Sequence, residues 1–207
     1  MRLRSLATTF AFALALSLSA AAAGAQATPT ASRPLELSAF GGLTGTYTGL
    51  SGGRNLGITA GVDLGFRPFF GFRPFLEGRG TYPIDGGQVD AQKSALAGLR
   101  VERPLARLSP RLNLSADILL GRGQINYQNG GYPSLSGDFL YVASTSSVIS
   151  PGLGLDFRLT DHFSVLADAQ FQHWDTPTTA SGSIWAKPLT LALRYRFNFN
   201  RHGYATR

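Results

Sequence analysis

The sequence predicts an all-β chain closing as an eight-stranded antiparallel up-and-down transmembrane β-barrel, and three observations carry that expectation. Apolar and non-apolar residues alternate in eight runs between Leu35 and Phe199, the period of a strand whose two faces meet different surroundings. Charge is confined to one face of those runs. The links between runs are alternately compact and mostly longer, the pattern of a barrel with short turns at one end and long loops at the other.

The chain opens with two arginines, an apolar stretch from Leu6 to Leu18 and Ala23-Gly24-Ala25. That is the layout of a secretory signal peptide over residues 1–25, cleaved between Ala25 and Gln26. A polar leader, 26–33, precedes a barrel expected over 34–199, and 200–207 form a C-terminal tail. The runs are 35–47, 55–66, 74–82, 94–102, 112–121, 150–159, 164–172 and 189–199. Clusters of Gly, Pro, Asp and Asn separate them, as turn chemistry requires.

In the second run Leu56, Ile58, Ala60, Val62, Leu64 and Phe66 alternate with Asn55, Gly57, Thr59, Gly61, Asp63 and Gly65. The links after the second, fourth and sixth runs (67–73, 103–111, 160–162) are compact, and those after the first, third, fifth and seventh (48–54, 83–93, 125–146, 173–184) carry the loops.

Alternation alone does not say which face meets water, since a soluble barrel buries its apolar face and a membrane barrel turns it to lipid. Here the non-apolar face holds Asp63, Glu77, Arg79, Arg100, Glu102, Asp117, Asp156, Arg158, Asp168, Arg194 and Arg196, interspersed with small glycines. Aromatic residues of the apolar face (Tyr47, Phe66, Tyr82, Phe157, Phe171, Tyr195, Phe197) fall near run ends, as in the girdles at membrane interfaces. These features predict lipid outside and a paired charge network inside, in a barrel just wide enough for side chains. Within that network the expected register sets Glu77 beside Arg100, with Gly98 across from Arg79; a rival register sets Arg79 beside Glu102.

Signal peptide, eight alternating runs, loop asymmetry and the terminal "RYRFNF" together resemble the small outer-membrane β-barrel proteins of the OmpA-transmembrane and OmpX kind in Gram-negative bacteria. The resemblance implies insertion into outer-membrane lipid by the barrel-assembly machinery, which in this family reads a C-terminal aromatic strand. Tyr195, Phe197 and Phe199 are the expected carriers of that signal, although the tail "NRHGYATR" departs from the family pattern.

Other chemistry is sparse. The chain has no cysteine and its histidines, His162, His173 and His202, are not spaced as metal ligands. The arginines behind the net charge of +7 are spread along the chain, which argues against nucleic acid. "SGGR" and "NGGY" read as turns, and no cofactor is expected. His173-Trp174-Asp175 reads either as half of an acid/base site or as an interfacial aromatic belt followed by a polar loop. The resulting expectation is a monomeric structural or adhesive barrel with a plugged lumen, meeting an extracellular ligand or host surface through loop 124–147. The rivals are a rim enzyme acting on lipid A or peptides and a secreted lipocalin-like carrier.

Overall fold

A computed structural model describes residues 35–85 and 89–197. The expected signal peptide, the leader and the tail with Phe199 lie outside the described residues. The strands are β1 (Glu36–Tyr47), β2 (Arg54–Gly65), β3 (Arg73–Asp85), β4 (Asp90–Pro104), β5 (Leu112–Tyr127), a small hairpin of β6 (Tyr132–Pro133) and β7 (Leu140–Tyr141), then β8 (Ala143–Arg158), β9 (Phe163–Gln170), β10 (Gln172–Asp175) and β11 (Ser183–Phe197). No described residue is helical.

Each barrel strand pairs antiparallel with the next, and β11 returns to β1 from Leu37↔Phe197 to Tyr47↔Lys187, so the sheet closes. Closure matters because a membrane offers no water to an unpaired strand edge. β9 and β10 are one barrel strand interrupted at Phe171. Gly152 faces Gln170 and Ile149 faces His173, so the register is continuous across the break. Phe171 N donates to Pro151 O at 2.9 Å, but proline has no N–H to donate in return. The barrel therefore has eight strands, as the alternation predicts.

Several strands run further toward the long-loop end than the alternating runs suggest. β5 continues to Tyr127, β8 begins at Ala143, the β9/β10 strand reaches Asp175 and β11 begins at Ser183, before Pro188. In these extensions the contrast between faces fades, and Pro188 interrupts the strand signal although its neighbours pair normally with β1.

The outward face of β11 shows the membrane zone. Leu189, Leu191 and Leu193 are exposed between Lys187, which lies over the Tyr47 ring, and the aromatic pair Tyr195 and Phe197. From Lys187 to Phe197 the strand runs roughly 33 Å, and at a tilt of ~40° this spans ~25 Å, the height of a barrel's apolar band.

The β3–β4 register differs from the expected one. Glu77 faces Gly98, Arg79 faces Leu96 and Phe75 faces Arg100, a two-residue step beyond the register with Glu77 opposite Arg100. The cause is steric and electrostatic: this register sets Glu77 against a glycine and Arg100 against an aromatic ring, so that no like charges stand opposed, and it lets the Arg100 guanidinium stack 4.7 Å above the Phe75 ring. Arg100 still reaches Glu77, diagonally, at 3.5 Å.

Candidate functional site: the barrel interior

Inward positions divide the interior into two halves of different chemistry. Toward the short turns lie the charges. Arg194 of β11 is the hub: its guanidinium contacts Asp156 at 2.6 Å, Glu102 at 3.0 Å and Asp63 at 3.2 Å. Glu102 is shared with Arg100 at 3.0 Å, and Arg100 reaches Asp63 at 3.4 Å. Arg196 joins Asp156 at 2.8 Å to Glu36 at 3.0 Å, and Glu36 also pairs with Arg73. Arg79 pairs with its own-strand neighbour Glu77 and crosses to Asp168 of β9 at 2.8 Å.

The links from β3 to β9 and from β4 to β11 join strands that are not neighbours in the sheet, so these guanidinium groups lie across the lumen. Ionic groups out of water are tolerable only when paired with good geometry, and arginine suits the task because one planar fork serves several carboxylates. Phe40 packs among them, with Arg79 and Arg194 placed 5.5 and 5.7 Å from its ring.

Asp117 enters the cluster through an amide instead of an ion pair. Gln170 Nε2 donates to Asp117 at 3.0 Å and to Asp168 at 2.7 Å, while Gln170 Oε1 accepts from Ser150 at 2.6 Å. On another part of the wall a hydroxyl ladder runs Thr190–Thr44–Thr59–Thr81, with steps of 2.8, 2.6 and 2.8 Å.

The sequence-selected charges thus lie together, with one exception. Arg158 has inward parity but ends β8 beyond the last inward layer, where it is exposed and its backbone N donates to Arg111 O at 2.8 Å. Parity continues past the barrel's end, whereas enclosure does not. Arg73 carries no such signal in the sequence because it sits in a turn-like "GFRPF" segment, nor do Gln170 and the threonine ladder, because neutral polar groups on a barrel's inner face are unremarkable one at a time.

Toward the long loops the interior holds an apolar cluster among buried hydroxyl and amide groups and Asp90. Trp174 is buried against Leu119, Ile125, Val148, Ile184 and Leu50. Its ring occupies the space above Gly123, where any Cβ would strike it, and its Nε1 donates to Gln172 at 3.2 Å. Tyr127 closes this half, its hydroxyl bonded to Thr176 at 2.7 Å and Ser144 at 2.9 Å.

The expectation of an interfacial belt at His173-Trp174-Asp175 is therefore corrected for Trp174, which points inward. His173 lies on the outer face, its ring 5.0 Å from that of Trp185, and Asp175 is exposed. The even-numbered parity of Leu166, Asp168 and Gln170, continued past Phe171 and past the end of the alternating run at Gln172, places Trp174 inside.

Comparison with known proteins agrees with this architecture. The family model for the outer membrane protein beta-barrel domain matches residues 8–197. The chain belongs to that family. No curated protein matches it in sequence. Among solved structures, this outer-membrane barrel is similar to Neisserial surface protein A, at 13% identity and a TM-score of 0.50, over 79% of this chain and 97% of the other. It is also similar to Ail, the attachment invasion locus protein of Yersinia pestis, at 16% identity and a TM-score of 0.51, over 79% and 99%. At these identities the likeness is one of fold.

Proposed function

We propose that this outer-membrane barrel is a monomeric, non-enzymatic adhesion protein, with long loops outside the cell, short turns in the periplasm and an interior closed to ions by its charge network. The observation that carries the adhesive reading is the β5–β8 connection. It folds back as the β6–β7 hairpin, with Tyr132 opposite Tyr141, on strands that extend the barrel wall. From its tip to its base Leu135, Phe139, Leu140 and Val142 are all more than half exposed. An apolar cluster held out on a rigid scaffold, in the segment 124–147 singled out from sequence, is a surface waiting for a partner.

The Ail structure holds the heparin analogue sucrose octasulfate. The loop here has neither lysine nor arginine between Gly123 and Phe157, so a polysulfate lacks its counter-charges, and an apolar protein surface of the host is the better fit. Export through cleavage at Ala25/Gln26, and assembly directed by Tyr195, Phe197 and Phe199, complete the reading.

The test is binding of bacteria expressing the protein to cultured host cells, with heparin-coated beads alongside. Serine at Leu135, Phe139, Leu140 and Val142 should abolish cell binding and leave the gel shift between boiled and unboiled protein intact. Retained cell binding, or capture of the unsubstituted protein by the heparin-coated beads, would overturn the proposal. Planar-bilayer recording should find no steady conductance.

A further inference from the structure

The short-turn end carries a feature that adhesion does not use. The β2–β3 hairpin turns through Phe69-Phe70-Gly71-Phe72, closed by Phe69 N to Phe72 O at 2.7 Å and Phe72 N to Phe69 O at 3.0 Å. Both central residues have positive φ, 50° at Phe70 and 78° at Gly71. That is the pattern of a type I′ turn, which favours Asn, Asp or Gly at the first central position. A bulky aromatic there is strained, and a strained residue points toward function. Burial does not repay the strain, because Phe70 is 86% exposed and Phe69 70% exposed.

Beside this turn an open apolar groove is lined by Phe69, Phe70, Phe72, Pro74 and Val101 and runs onto the lipid-facing side of the barrel. The Arg103 guanidinium stands over Phe72 at 5.1 Å, at the groove's edge. The rest of this end is basic. Arg67, Arg107, Arg111 and Arg158 are exposed, with Arg158 hydrogen-bonded to the backbone of Arg111, while the described turns contribute Asp161 as their exposed acid. Like charges that outnumber their carboxylates are unfavourable until an anion joins them.

We propose that the short-turn end is a docking surface for anionic phospholipid, with an acyl chain in the phenylalanine groove and the phosphate held by Arg103 and its neighbours. Phe69 and Phe70 enter the interface as apolar wedges, and the arginines supply the charge complement, the pairing used by interfacial anchors. The proposal rests on the reading that this end faces the phospholipid leaflet. A symmetric bilayer tests it without reference to orientation or to adhesion.

The protein is reconstituted in nanodiscs of phosphatidylcholine with a minor fraction of phosphatidylglycerol, and the lipids retained through detergent extraction are counted by mass spectrometry. Wild type should retain phosphatidylglycerol several-fold above its bulk share, and high salt should reduce that enrichment. The combined R103Q, R107Q and R111Q variant should fall to the bulk share, whereas replacing the loop-end cations Arg54, Lys93 and Lys187 by glutamine should not. Phe70→Gly should raise the urea midpoint in detergent, by relieving the turn, and yet lower phosphatidylglycerol retention. An arginine variant that keeps full enrichment, no enrichment in wild type, or full retention by Phe70→Gly would each overturn the proposal.

Discussion

The two halves of the barrel interior fill the same kind of space by opposite means. Near the short turns, arginines bridge carboxylates from non-adjacent strands, with Arg194 touching Asp63, Glu102 and Asp156. Near the long loops, Trp174 and Leu119 anchor an apolar cluster, with neutral hydrogen bonds at its edges such as Tyr127 to Thr176 and no arginine bridges. The charged half is held by directional contacts whose loss leaves a buried ion behind. The apolar half is held by shape, and the penalty for a lost group there is the size of the hole. The interior enclosed by one closed sheet need not be uniformly polar.

The contrast can be broken most forcefully at the charged hub. Arg194→Leu should cost about 3–5 kcal/mol, the range for orphaning a buried charge, measured by urea unfolding in lipid vesicles. Replacing Asp156 as well, by asparagine, should recover part of that loss, because fewer charges then lack a partner. An additive pair would mean that the network does not act as a unit.

Trp174→Ala should cost about 3 kcal/mol through cavity formation, with no growth in bilayer conductance, because the charge network below it stays intact. Conductance rising with Trp174→Ala and not with Arg194→Leu would reverse the assignment of which half closes the lumen. The outer surface offers a reference for both. Leu191→Arg, mid-band on the lipid face, should cost ~2–4 kcal/mol, and Leu64→Arg, near the short-turn end, less.

A gentler probe is Gly123→Val, which pushes the Trp174 ring from its seat and should cost about 1–3 kcal/mol, as overpacking does. A red-shifted tryptophan emission would accompany it. Smallest of all is His173→Ala, on the outer face against Trp185. It should change stability by no more than ~0.5 kcal/mol and leave host-cell binding untouched; loss of any lipid- or peptide-cleaving activity on this change would instead support the enzymatic rival.

Contrast between the two faces of a strand is what makes the fold legible in the chain. Wherever one face was charged and the other apolar, as at Asp63 against Leu64 or Arg194 against Leu193, the two-residue period identified strand and face together, and eight such stretches sufficed for the barrel. The charge cluster was legible for the same reason, because an ionisable residue with inward parity has few other places to go. The apolar half was not legible, since Leu119 or Ile184 inside resembles Leu120 or Leu189 outside, and alternation carries no information when both faces are hydrophobic. The β3–β4 register was also beyond the sequence. It depends on the room that Gly98 leaves for Glu77 and on the stacking of Arg100 over Phe75, and such contacts exist only once the sheet has coiled and closed. Arg158 shows the same limit at the barrel's end, where parity still points inward but no wall remains to enclose the side chain. Periodicity is a property of one strand, whereas register, enclosure and the partner of each arginine belong to the closed sheet.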